Sequence, residues 1–155
     1  MLFRSLIQLE HAGAVRLMKA PGGVLATVDL VINELGPKLG DEVVAEGVLV
    51  RTSMEAETVR FYELQVCYPA IGIVDLHVLA HALCLDAVLL TGDRLLRQAA
   101  ENEGLVAHGL LWLLDSAITD KVIERQEASH ILRTIQRAGA RLPDAECNAR
   151  FAKWL

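Results

Sequence analysis

Residues Pro69–Gly104, PAIGIVDLHVLAHALCLDAVLLTGDRLLRQAAENEG, decide the fold. The pattern predicts a helix carrying Asp75 in its first turn, a short apolar strand over Ala87–Leu90, and a second helix opening on Thr91-Gly92-Asp93-Arg94. Asp93 falls where that strand ends and the helix begins. Strand ends of a parallel sheet are where open α/β folds gather reactive groups. Two carboxylates brought there point to a hard divalent cation and to phosphate chemistry.

Working outward, residues 4–19 read as a helix, broken by Pro21-Gly22-Gly23 and followed by a buried strand, Val24-Leu25-Ala26. Thr27 is placed to cap a helix over 27–36, with Asp29 in its first turn and Val28, Val31, Ile32 and Leu35 as its apolar stripe. Gly36-Pro37 is expected to end it. Gly47-Val48-Leu49-Val50 reads as a second strand, and Ser53 as the cap of a helix over 54–65. After the helix stop at Gly104 comes a strand, Leu105-Val106-Ala107, then helices over 109–117, 124–138 and 144–152. Strands alternating with helices over short connections argue for an α/β fold, a parallel sheet covered by helices on both faces. The expected organisation is one body over residues 1–120, with a basic helical extension over 121–155 packed on it.

At 155 residues and 53% hydrophobic content, the chain is long enough to bury a full core. No apolar run approaches the ~18 residues of a membrane span, and the N-terminus lacks a signal-peptide pattern. Cys67, Cys84 and Cys147 are odd in number without CxxC spacing, so reduced, buried thiols in a cytoplasmic protein are expected. The net charge of −5 hides an asymmetry. Residues 121–155 carry seven Lys/Arg against four Asp/Glu, whereas the first 120 carry eight against sixteen. An acidic body repels a polyanion, so a nucleic-acid substrate needs a local basic route or a screening metal. The C-terminal segment is one such route; a solvated helical face or a subunit contact is the other reading of the same charges.

Three acids stand out. Glu34, in the last turn of the 27–36 helix and off its apolar stripe, meets the negative end of the helix dipole and should prefer a counter-charge or a metal. Asp75 sits inside the apolar run Ile73-Val74-Asp75-Leu76, where an unpaired carboxylate is costly to bury. Asp93 can cap the following helix, Thr91 adds a hydroxyl, and Gly92 permits a tight turn. Each also has a plain structural reading: N-cap, solvated helix end, or first-turn hydrogen bond. The i, i+4 pair His77 and His81 does not make a zinc-protease motif, because Val78 stands where H-E-x-x-H needs Glu. At ~100° per residue both histidines also face away from Asp75. His108 is expected to make a structural hydrogen bond. Serine hydrolase, P-loop and dinucleotide motifs are absent.

On these residues the chain resembles the PIN-domain family. The matching pieces are Asn33-Glu34-Leu35, Gly72-Ile73-Val74-Asp75-Leu76, and Leu89-Leu90-Thr91-Gly92-Asp93-Arg94-Leu95-Leu96. His108-Gly109-Leu110-Leu111-Trp112 and Gly139-Ala140-Arg141-Leu142-Pro143 look like a bacterial branch with a short helical tail, and the similarity covers most of residues 4–143. The resemblance implies a three-layer α/β/α fold with a central parallel sheet. It implies a cytoplasmic Mg²⁺- or Mn²⁺-dependent endoribonuclease, often the toxin of a type II toxin–antitoxin pair and often a homodimer. RNA would be the substrate and an antitoxin the protein partner. Glu34, Asp75 and Asp93 would be the second, third and fourth acids of the usual quartet, catalytic and metal-holding, with Thr91 a supporting hydroxyl. The chain begins at Met1-Leu2-Phe3, about where the last residues of the family's first-strand pattern should fall, so that strand and its terminal Asp are missing from the match. One explanation expects a true start upstream. The other is a PIN-like chain that closes the gap by pairing its remaining strands or dimerising. Weak metal binding and little nuclease activity are expected of this form, with a non-catalytic interaction or dimerisation module as the alternative function. A different metal-dependent phosphohydrolase is a weaker third reading, since it too would place an Asp after its first strand.

Overall fold

The computed structural model describes residues 3–19, 24–52 and 54–155. The stretch expected as one helix over 4–19 divides into α1 (Phe3–His11) and a 3-10 turn over Val15–Lys19. Gly13, at φ 62°, causes the division. Its N–H donates to the Glu10 carbonyl and that of Ala14 to the Leu9 carbonyl, the paired bonds of a glycine-terminated helix. The first strand is β1 (Ala26–Val28), displaced from the predicted 24–26. Thr27 therefore lies buried within β1, and the N-cap of α2 (Asp29–Ala45) is Val28. Gly36, at φ 78° and ψ 169°, breaks α2 as expected, but the chain resumes a helix from Pro37. Proline at the opening position gives up an N–H that has no partner there in any case.

There follow β2 (Leu49–Arg51), α3 (Glu55–Cys67), α4 (Ile73–Cys84), β3 (Leu89–Leu90), α5 (Arg94–Asn102), β4 (Ala107–His108), α6 (Leu110–Thr119), α7 (Arg125–Arg137) and α8 (Asp144–Trp154). The proposed cap Ser53 lies outside the described residues. The start of α3 is instead closed by Glu57, whose Oε2 accepts the Met54 N–H at 3.0 Å.

The strands are parallel and hydrogen-bonded as two pairs. Ala26, Thr27 and Val28 of β1 face Leu49, Val50 and Arg51 of β2, and Leu89 and Leu90 of β3 face Ala107 and His108 of β4. Among the described residues no ladder joins the pairs. β1 and β3 instead line a common cavity of about 290 Å³, with Val78 and His81 of α4 in its wall.

Two apolar clusters hold the chain. One unites α1, the C-terminal part of α2, α6, α7 and α8, and includes Leu9, Leu114, Leu132 and Trp154. The other joins α3, α4 and α5 through Leu64, Leu79 and Leu96. Leu90 belongs to the first and Leu89 to the second, because successive strand residues point to opposite faces. Arg150 Nε donates to Asp115 Oδ2 at 2.9 Å, tying α8 to α6. Tyr68 Oη donates to Glu103 Oε1 at 2.8 Å, tying the end of α3 to the end of α5. Cys147 is buried as expected, whereas Cys67 and Cys84 are exposed, both at the last residue of a helix. Among the described residues no helix is long and apolar enough to cross a membrane.

Candidate active site

The end of β3 is built by local hydrogen bonds. Thr91 is fully buried; its N–H donates to the His108 carbonyl at 2.8 Å, extending the β3–β4 ladder by one residue. Its Oγ1 accepts the Asp93 N–H at 3.0 Å, folding the chain back over Gly92. Asp93 Oδ1 then accepts the Leu96 N–H at 3.0 Å, so this residue is the N-cap of α5. Both readings of Asp93 are compatible. The cap occupies one oxygen, and the half-buried carboxylate stands on the rim of a cleft of about 580 Å³.

Asp75 lies in the first turn of α4, half-buried. Glu34 occupies the last turn before the Gly36 break and is exposed. The structure does not gather these acids into one cluster: among the described residues, no three His, Cys, Asp or Glu side chains are placed to hold a metal ion. Glu34, Asp75 and Asp93 thus do not fit a preformed three-carboxylate centre for Mg²⁺ or Mn²⁺. Divalent cations of this size commonly take only one or two carboxylates, completing their shell with water and substrate phosphate.

His77 and His108 are accounted for by ring stacking. His81 is buried beside the cavity between the strand pairs, its Nδ1 2.8 Å from Oε1 of the buried Glu57 but outside hydrogen-bond geometry, so that both its ring nitrogens lack a hydrogen bond among the described residues. His77 stacks on Phe61, with ring centroids 4.0 Å apart and planes at 9°. Burial pushes its pKa below the usual histidine value against the opposing pull of Asp29 and Glu57. His108 does not make the expected hydrogen bond through its ring; it stacks on Trp112, with centroids 4.3 Å apart and planes at 7°. Burial first, then the Arg97 charge, pushes its pKa down, which favours the neutral imidazole.

Sequence reasoning missed the cleft. Its lining carries Arg94 and Arg97 from α5, His108 and Trp112, and, from the C-terminal segment, Arg141 and Arg150, with Asp93 and Glu146 as its acids. Gly109 leaves room for the Arg97 guanidinium, which a Cβ at that position would strike. The i, i+3 spacing of Arg94 and Arg97 puts both on one side of α5, a signal available in the sequence. Nothing in the sequence says that Arg141 faces them.

The arrangement is an α/β body: parallel strand pairs packed with helices, with an acid at the end of β3. A family model described as a PIN domain (DUF3368) matches residues 4–154, and the chain belongs to that family. No curated protein and no solved structure gives a match.

Proposed function

We propose that this chain is an RNA-directed nuclease domain of the PIN class, with Asp75 and Asp93 as acids that reach a divalent cation without forming a closed three-carboxylate centre among the described residues. The observation that carries the reading is Asp93, fixed by two hydrogen bonds on the rim of a cleft lined with arginines. A fixed carboxylate beside a cationic cleft suits a phosphodiester substrate, whose phosphates the arginines attract. Asp75 and Asp93 are the acids assigned to Mg²⁺ or Mn²⁺, Glu34 is an outlying third, and Thr91 is the hydroxyl that orients Asp93. A three-layer α/β/α arrangement, an antitoxin partner and a homodimer are the finer assignments that accompany this reading. So is the division into a body over 1–120 and a basic helical extension over 121–155.

Calorimetric titration with Mn²⁺ and Mg²⁺ tests it, comparing the chain with Asp75→Asn and Asp93→Asn. Weak binding that both substitutions abolish, with slow Mn²⁺-dependent cleavage of single-stranded RNA, is the expected result. Binding unchanged by either substitution would remove both residues from the centre.

The cavity between the strand pairs favours a second reading, an interaction module. Alternate residues of a strand direct their N–H and C=O groups to opposite edges. In β3, Leu89 and Thr91 donate toward β4, so Val88 and Leu90 direct theirs toward the cavity. A chain without metal binding or cleavage that nevertheless self-associates in sedimentation would support the module over the enzyme.

A further inference from the structure

We propose that the cleft beside Asp93 is a nucleotide subsite, in which Arg94, Arg97 and Arg141 hold the phosphates of a single strand and the His108–Trp112 stack receives one of its bases. The inference rests on the RNA-directed reading above and adds to it the place and manner of recognition.

Charge is the first argument. The chain as a whole is −5, yet the cleft lining carries four arginines against Asp93 and Glu146. Arg150 is committed to Asp115 at 2.9 Å. Arg94, Arg97 and Arg141 form no ion pair among the described residues, and Arg97 makes only a long 3.4 Å contact from Nη2 to the Thr91 carbonyl. Three guanidinium groups without an ion-pair partner among the described residues, lining one space, form a polyanion site on an otherwise repelling surface.

Shape is the second. A volume of about 580 Å³ falls in the range of ligand sites and exceeds what a bare phosphate needs. The two aromatic rings are already parallel, so a planar base added to the stack meets a prepared face. Burial and Arg97 keep His108 neutral, which spares the stack a charge beside the arginines. An acidic peptide would satisfy the arginines and leave the stack unused. Because Arg141 lies beyond residue 120, the C-terminal extension supplies one wall of the site.

The test uses the whole chain in EDTA, with a fluorescein-labelled oligoadenylate of about ten nucleotides followed by anisotropy. Arg94→Ala with Arg141→Ala, both at exposed positions, should weaken binding about tenfold or more and lower the salt slope by about 1.4, two phosphate contacts' worth. Intrinsic fluorescence gives the second readout. Trp154 is buried in the core, so quenching reports Trp112. Oligoadenylate should quench it, and an abasic strand of equal charge should not. Trp112→Phe should retain affinity within about twofold, while Trp112→Leu loses about tenfold.

No binding at low salt, binding indifferent to the arginine pair, or displacement by polyglutamate as effective as by RNA would overturn the subsite. Cleavage in Mn²⁺ is scored separately. Binding that depends on the arginines without any cleavage removes the nuclease reading alone. Cleavage that ignores the arginines removes the subsite alone.

Discussion

β2 and β3 are built from similar apolar residues and sit in opposite surroundings. In β3, Leu89 is 3% and Leu90 7% exposed, each reaching a different apolar cluster. In β2, Leu49 is 52% and Val50 41% exposed. Helices cover both faces of β3, whereas β2 lies at an uncovered margin. An apolar run therefore states that a strand forms, and the helices around it decide whether it is buried. The site follows the same division: Asp93 grows from the end of buried β3, where tight packing holds a turn in place.

The largest expected effect tests that contrast directly. Leu89→Ala should cost about 3 kcal/mol, because removing buried carbon from a close-packed site also leaves a cavity. Leu49→Ala, at an exposed position, should cost no more than about 0.5 kcal/mol. Urea denaturation midpoints decide it, and equal losses would erase the distinction between β2 and β3.

Next comes the polar wall between the pairs. His81→Ala removes the histidine 2.8 Å from buried Glu57, while the Met54 N–H remains on the other oxygen. Taking the nearest polar neighbour away from this buried carboxylate, whose Oε1 lacks a hydrogen bond among the described residues, should cost about 2 kcal/mol. His81→Ala combined with Glu57→Leu should recover part of that loss in the same denaturation assay, since the buried acid is then gone. No recovery would mean that His81 acts through packing.

How much of this could be read from the sequence divides along similar lines. The helix–strand–helix of 69–104 was legible because its signals are local: periodicity, the Gly104 stop, and a Thr-Gly-Asp turn whose side chains bond within two or three residues. Gly36-Pro37 signals a helix end in sequence, yet the helix resumes at Pro37, because proline also opens helices. Burial of the strands, and the meeting of residues 94, 109 and 141 around one cleft, depend on packing between distant segments. No local pattern encodes those. The three acids show the same limit, since spacing along the chain placed each on its element and could not say how far apart the elements hold them.

A smaller effect separates the turns that follow β1 and β3. Asp29 Oδ1 accepts the N–H of the adjacent Leu30, whereas Asp93 reaches forward to Leu96 as a true cap. Asp93→Ala should therefore cost about 1 kcal/mol and Asp93→Asn only a few tenths. Asp29→Ala should cost about 0.5 kcal/mol, the loss of a carboxylate near a helix N-terminus. Thermal unfolding of the three variants checks the order.

The smallest effect is the pH response, because both groups concerned are only half-buried and solvent screens them. His77 lies near Asp29, after β1, and His108 lies in β4; the folded pKa of each is depressed below its ordinary 6.5. On acidification the unfolded chain takes up these protons before the folded one. Stability is accordingly full above about pH 6.5 and declines below it, levelling off under the depressed folded values. At His108 burial and the Arg97 charge act together, while at His77 two carboxylates oppose burial. His108→Phe, which keeps a ring against Trp112, should therefore flatten the decline between about pH 7 and pH 5 more than His77→Phe does. The reverse order, measured by denaturant midpoints, would show that the carboxylates around His77 do not reach it.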